Sequence, residues 1–177
     1  MKKISAAIIS TIGFKKTHLE DEHVIALFST GRQFPCLKNL DLSDTRITAK
    51  SLQLLVQSHV LSSLIDLRLR GVQGSSGDFI VLIKSCVVLE RMSFSRCKDF
   101  NNRCLQTLSN PRALTKLSVN ETAVSDDNNQ LISDLLCEKF VSLRVLRVKG
   151  NTFSSESVGR ILQKLGLDEI EGPCNVK

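Results

Sequence analysis

The sequence has no tryptophan and no tyrosine, and aromatic residues make up only 5% of its 177 positions. Its core must therefore be aliphatic, filled by Leu, Ile and Val. Cysteine pairs at CxxC spacing are also missing, although Cys36, Cys86, Cys97, Cys104, Cys137 and Cys174 are present. Six cysteines in this length fall short of a disulfide framework, so reduced, mostly buried thiols in a reducing compartment are expected. No run approaches the roughly 18 unbroken apolar residues of a membrane span.

Motifs of catalysis are missing too. There is no G-x-S-x-G, no phosphate-binding loop and no dinucleotide glycine set. His18 and His23 are five apart around Leu19-Glu-Asp-Glu, which does not give the shared helix face of H-E-x-x-H. Those acids suit a helix N-terminus better. His59 stands alone, and Cys97 and Cys104 match no metal-module spacing. The reading is a non-enzyme with no metal and no cofactor.

What is present is ordinary for a folded chain: 42% hydrophobic and 24% charged residues. At this length one well-filled core is expected rather than two domains. The net charge of +6 favours an acidic partner surface, with RNA as the alternative.

A repeat runs through the chain. From Leu37, apolar residues fall at Leu37, Leu40, Leu42, Ile47, Leu52 and Leu55, that is at offsets 0, 3, 5, 10, 15 and 18. The same offsets from Ile9 give Ile9, Ile12, Phe14, Leu19, Val24 and Leu27, and from Leu143 they give Leu143, Leu146, Val148, Phe153, Val158 and Ile161. From Leu64 one position misses, at Gly74. From Leu89 the pattern slips by one to Phe100, Leu105 and Leu108, and from Leu114 it holds for four positions before a longer stretch with Leu131 and Leu135. The starts at 9, 37, 64, 89, 114 and 143 are 28, 27, 25, 25 and 29 residues apart, and a partial unit begins at Leu167.

This pattern resembles the leucine-rich-repeat family, L-x-x-L-x-L-x-x-N/C-x-L. The unit lengths resemble its ribonuclease-inhibitor-like and cysteine-containing subclasses. Cys86-Val-Val-Leu89-Glu-Arg-Met92-Ser-Phe94-Ser-Arg-Cys97 is the nearest fit to the latter. The resemblance covers almost all of residues 1–177. It implies a single α/β solenoid domain: a curved parallel sheet on the concave side and helices on the convex side. It implies little about function.

Each L-x-L pair has the period of a half-buried strand. The i, i+3 pair at offsets 15 and 18 is a helix stripe. Helix starts are marked by Thr48, Asn101, Ser125-Asp-Asp and Ser154-Ser-Glu, which supply capping oxygens or acids. One strand and helix cannot bury their apolar faces alone, whereas stacked copies can. Seven strands make a ladder of roughly 29 Å. Offset 8 holds Thr17, Thr45, Val72, Cys97, Thr122 and Asn151. In the family this position hydrogen-bonds neighbouring loop backbone. Val72 cannot, so its unit is expected to be the weakest rung.

Offsets 2, 4 and 6 alternate with the buried leucines. They gather Arg68, Arg70, Arg91, Lys116, Arg147 and Lys149 on the concave side, with Arg96 on the adjoining loop and only Asp66 offsetting them in the central units. This stripe is the candidate partner-binding site, because arginine suits carboxylate and phosphate forks. Missing aromatics disfavour single-strand readout, so protein is preferred to RNA. The expected role is an interaction module or scaffold subunit of a larger assembly. An RNA-contacting subunit of a ribonucleoprotein is the alternative.

Two readings stay open for Met1 to Phe14: the first structural unit, or a basic, acid-poor targeting segment that would direct an otherwise cytoplasmic chain to the mitochondrion. No N-terminal cap is visible, so a longer array or a partner over that end is expected. Gly166 to Lys177, with Pro173, reads as a short C-terminal cover.

Overall fold

A segment with apolar residues at alternate positions sends both side chains to the same side when extended. The computed structural model of the chain builds each L-x-L segment as a strand, and it describes residues 8–28, 34–108, 111–125 and 131–171. The basic head of the targeting reading, Asp126, Asp127, Pro173 and Cys174 lie outside the described residues.

The strands are β1 (Thr11–Gly13), β2 (Asn39–Asp41), β3 (Asp66–Arg68), β4 (Arg91–Ser93), β5 (Lys116–Ser118), β6 (Val145–Arg147) and β7 (Glu169–Glu171). They form one seven-stranded sheet, all parallel, in chain order. The helices alternate with them: α1 (Asp21–Phe28), α2 (Ala49–Gln57), α3 (Ser76–Lys84), α4 (Asn102–Gln106), α5 (Leu131–Lys139) and α6 (Ser155–Leu165). The protein is therefore α/β. Among the described residues, no helix is long and apolar enough to cross a membrane.

The register keeps the repeat in step. Ile12, Leu40, Leu67, Met92, Leu117, Leu146 and Ile170 lie in one row across the sheet. Differences in unit length are absorbed between strands and leave the ladder aligned. Each strand is centred on offset 3, one residue earlier than the middle of the L-x-L pair. The ladder bonds nevertheless continue through offset 5, where Phe14 N–H donates to the Asp41 carbonyl at 2.8 Å and Leu42 N–H to the Arg68 carbonyl at 2.9 Å.

The turn that ends each strand uses one left-handed residue. Lys16, Asp44, Gly71, Arg96, Glu121 and Gly150 all have φ between 54° and 73°. All six stand at offset 7, so the repeat extends to backbone conformation as well as to hydrophobicity. Four of the six carry a Cβ in a region that suits glycine.

Offset 8 follows with a row of polar groups. Thr17, Thr45 and Thr122 donate to the carbonyl three residues back in their own unit, at 2.7, 2.7 and 2.8 Å. Cys97 and Asn151 instead reach into the preceding unit, to the carbonyls of Leu69 at 3.0 Å and Val119 at 2.8 Å. The family expectation of bonds to a neighbouring loop thus holds for Cys97 and Asn151 and not for the threonines. The gap left by Val72 is filled from the next unit. The carbonyl of Leu69 that a threonine would have bonded accepts from the Cys97 thiol and from Val72 N–H at 3.1 Å.

The apolar positions meet in one cluster that includes the centres of β1 to β6 and the buried faces of the helices. Neighbouring helices pack in chain order, α1 on α2, α2 on α3, α3 on α4 and α5 on α6. Phe79, Phe94 and Phe100 fill the middle, with ring centroids 5.6, 5.8 and 4.6 Å apart. The one miss in the unit from Leu64 has a steric cause. A Cβ on Gly74 would stand 2.8 Å from Leu52 Cδ1, so the space that a leucine would take is already occupied.

Thr48, Asn101 and Ser154 cap α2, α4 and α6 by accepting from backbone N–H groups. Sequence reasoning passed over α3. There Ser75 and Asp78 form a reciprocal capping box, which the S-x-x-D spacing could have signalled.

Candidate functional site

Residues at offsets 2, 4 and 6 project from the sheet on the side away from the helices, and no described element packs over them. β3 and β4 supply Asp66, Arg68 and Arg91, with Arg70 just past β3. β5 and β6 supply Lys116 and Arg147, with Lys149 just past β6. The structure thus brings six of the seven predicted residues to one face. The seventh, Arg96, sits on the rim in the left-handed turn after β4.

These cations are not bare. Asp66 is buried within the stripe and accepts from Arg68 Nε at 3.0 Å, a second Arg68 guanidinium nitrogen at 2.7 Å and Arg91 Nε at 3.0 Å. The hydrogen bonds to Asp66 raise the pKa of Arg68 above its ordinary value, against the opposing effect of burial. Arg70 lies 3.6 Å from Asp44, and Arg96 lies 3.8 Å from Glu121. Arg147 pairs with Glu169 at 2.6 Å and lies 3.8 Å from Glu171, which is 4.0 Å from Lys149. Lys116 has no ion-pair partner among the described residues.

The expectation that Asp66 alone offsets the stripe is corrected by these distances. Asp44 and Glu121 come from the turn after each strand, and Glu90 lies 3.8 Å from Arg91. Glu169 and Glu171 come from the partial last unit. Their E-x-E spacing falls at the offsets that place β7 side chains on the same face, a signal present in the sequence. Counting β1 to β7 with offset 6, Lys15, Arg68, Arg70, Arg91, Lys116, Arg147 and Lys149 face Asp41, Asp66, Glu169 and Glu171. Seven cations less four carboxylates leave +3 for these rows, and adding Arg96 with Asp44, Glu90 and Glu121 makes it eight less seven, or +1.

Serines lie between the cations. Ser95 and Ser118 are buried and share a hydrogen bond of 2.9 Å. Ser95 Oγ also accepts from Asn120 N–H at 3.1 Å. Ser93 is half-buried and its hydroxyl has no partner among the described residues. Hollows open on this face among the described residues. One of about 570 Å³ is lined by β1 to β4, with Gly13, Asn39, Asp66, Arg68 and Arg91. Another, of about 280 Å³, lies over Ser93 and Ser118.

The groups on the face are fixed charges and hydroxyls. They can bind and orient an anion. Among the described residues there is no cluster of His, Cys, Asp or Glu able to hold a metal ion. Burial pushes the thiols of Cys86 and Cys97 up to about 12, which keeps them protonated and unreactive. Cys104 is also buried, Cys137 half-buried and Cys36 exposed, and all five described cysteines are unbridged. No protein-family model matches the chain, and no curated protein matches it in sequence.

Proposed function

We propose that the chain is a leucine-rich-repeat solenoid and a non-catalytic interaction module that docks an acidic segment of a partner protein over β3 to β6. One observation carries this reading: the sheet is all parallel, yet its polar face has no described element over it. All-parallel sheets are ordinarily covered on both faces. Here the uncovered face holds an excess of cations, the composition that an acidic surface complements. Its curvature around a partner is supported by the smaller hollow, whose lining runs from Lys15 to Glu171. Protein is favoured over RNA because, among the described residues, no aromatic side chain stands on the face for a base to stack on. Unbridged, buried thiols fit a reducing compartment, and a module of this kind fits a subunit of a larger assembly.

The test is binding of a fluorescein-labelled oligoglutamate, followed by anisotropy, to the wild type and to Arg70→Glu/Lys116→Glu. These two positions are chosen because Arg68 and Arg91 satisfy buried Asp66 and their reversal would threaten the fold. The expected result is binding by the wild type and a loss of about tenfold in the variant, roughly 1.4 kcal/mol. Equal binding by the two proteins overturns the reading. So does tighter binding of a single-stranded oligoribonucleotide with a steep fall in salt, the mark of phosphate neutralisation.

A further inference from the structure

The positive charge of the open face converges on one place. Arg68 from β3, Arg70 just past it, Lys116 from β5 and Arg147 from β6 line the hollow of about 280 Å³, and Ser93 and Ser118 lie between them. We propose that this hollow receives a phosphorylated side chain of the partner, an inference that rests on the acidic-segment docking proposed above.

The chemistry of the walls distinguishes a phosphate from a carboxylate. A carboxylate has two oxygens in one plane and can be satisfied by a single arginine, as Glu169 is by Arg147. A phosphomonoester carries three terminal oxygens and a charge of about −1.5 to −2 near neutral pH. It needs donors from several directions, and this hollow offers cations from three strands with hydroxyls between them. Two of the walls are preset. Asp66 holds Arg68, and Glu169 holds Arg147 at 2.9 and 2.6 Å. Each guanidinium has five N–H donors and spends about two on its carboxylate, so outward donors remain. Arg70 is beyond hydrogen-bond distance of Asp44, at 3.6 Å, and Lys116 has no ion-pair partner among the described residues. The small serines leave the floor open, and the Ser93 hydroxyl is uncommitted among the described residues.

The borders of the hollow select the kind of chain that bears the phosphate. Asp41 lines it on the β2 side and Glu171 on the β7 side. A run of phosphates crossing the sheet would meet both carboxylates. A peptide with one phosphorylated residue over β4 and β5 avoids them.

The test uses three fluorescein-labelled acidic peptides, identical except for phosphoserine, glutamate or serine at the central position. Each is titrated by anisotropy against the wild type, Lys116→Gln and Ser93→Asp, with circular dichroism to confirm folding. The wild type is expected to bind the phosphoserine peptide about tenfold tighter than the glutamate peptide, a difference of roughly 1.4 kcal/mol. That preference should shrink as pH falls below about 6, where the phosphate gains its second proton. Both variants should bind the phosphoserine and glutamate peptides alike. Equal affinity of the wild type for these two peptides overturns the inference and leaves acidic docking standing. A preference that survives in Lys116→Gln also overturns it. If none of the three acidic peptides binds, the inference and the docking reading fall together. If an oligoribonucleotide displaces the phosphoserine peptide at lower concentration than the unlabelled peptide does, the peptide assignment is wrong.

Discussion

Two glycines near the C-terminal end should respond to alanine in opposite ways. Gly150 has φ +73°, and an added Cβ would lie 3.0 Å from Glu121 Cγ. Gly150→Ala should therefore cost about 1–2 kcal/mol from the left-handed backbone. Gly159 lies inside α6 with nothing within 4 Å of its Cβ direction. Gly159→Ala should stabilise by up to about 1 kcal/mol, since glycine is a poor helix former. Urea unfolding of the two variants beside the wild type checks both signs. The buried thiols give a second residue-scale expectation. Cys36 should react at once with a thiol reagent, while Cys86 and Cys97 should react only on unfolding. Their pKa is raised in the folded protein from 9.0 to about 12. Stability from keeping them neutral is thus complete below about pH 9 and declines as pH rises toward 12. An unfolding series across that range measures it. Among single residues, the apolar rows were legible because hydrophobicity alone defines them. The role of Asp66 was not, since one carboxylate serving Arg68 in its own strand and Arg91 in the next depends on register and side-chain reach.

Adjacent elements are tied together at the helix starts. Asp21 in the first turn of α1 accepts from Thr48 N–H at 2.8 Å, Thr48 Oγ1 at 2.6 Å and Ser51 Oγ at 2.5 Å, so it joins α1 to the N-terminus of α2. Burial pushes its pKa up, but the bonds from Ser51 and Thr48 outweigh this and hold it below 3.8. Because the folded value is depressed, the contribution is present above the usual carboxylate range. It is lost as pH falls through the lowered pKa. Asp21→Ala should cost about 1–3 kcal/mol near neutral pH by leaving these donors unpaired, and the difference from wild type should shrink at low pH. Denaturant midpoints at neutral and acid pH test it. Asn102 ties α4 to the segment after β5 in the next unit in the same way, donating to the Ser125 carbonyl at 2.7 Å and accepting from Ser125 N–H at 3.0 Å. The sequence marked Thr48 as a cap and the acids near Asp21 as a helix start. It could not reveal that one serves the other, because they are 27 residues apart and meet only when the units stack.

For the whole molecule, the alternation of one strand and one helix was legible from spacing, and the all-parallel order follows from it. The charge pattern was only partly legible. Offsets 2, 4 and 6 mark the stripe of cations, but Asp44, Glu90 and Glu121 lie at other offsets, and Glu169 and Glu171 belong to the partial last unit. Most of these ion pairs are exposed, where each contributes about 0–1 kcal/mol. Raising salt should therefore change the unfolding free energy little while sharply weakening acidic-peptide binding. Parallel titrations in low and high sodium chloride separate the two effects. An equal loss of both would mean that the face holds the fold together and is not reserved for a partner.

The hydrogen bond from Cys97 to the Leu69 carbonyl makes the units unequal. The segment that begins at Leu64 lacks a turn hydroxyl of its own and borrows a donor from the one after it. Shuffling the order of the segments, or ending the chain just before Leu89, would strip that carbonyl of its thiol, although each piece still reads as a complete copy. The array is thus not a set of interchangeable cassettes. At this turn the order is read by a sulfur atom of the next unit.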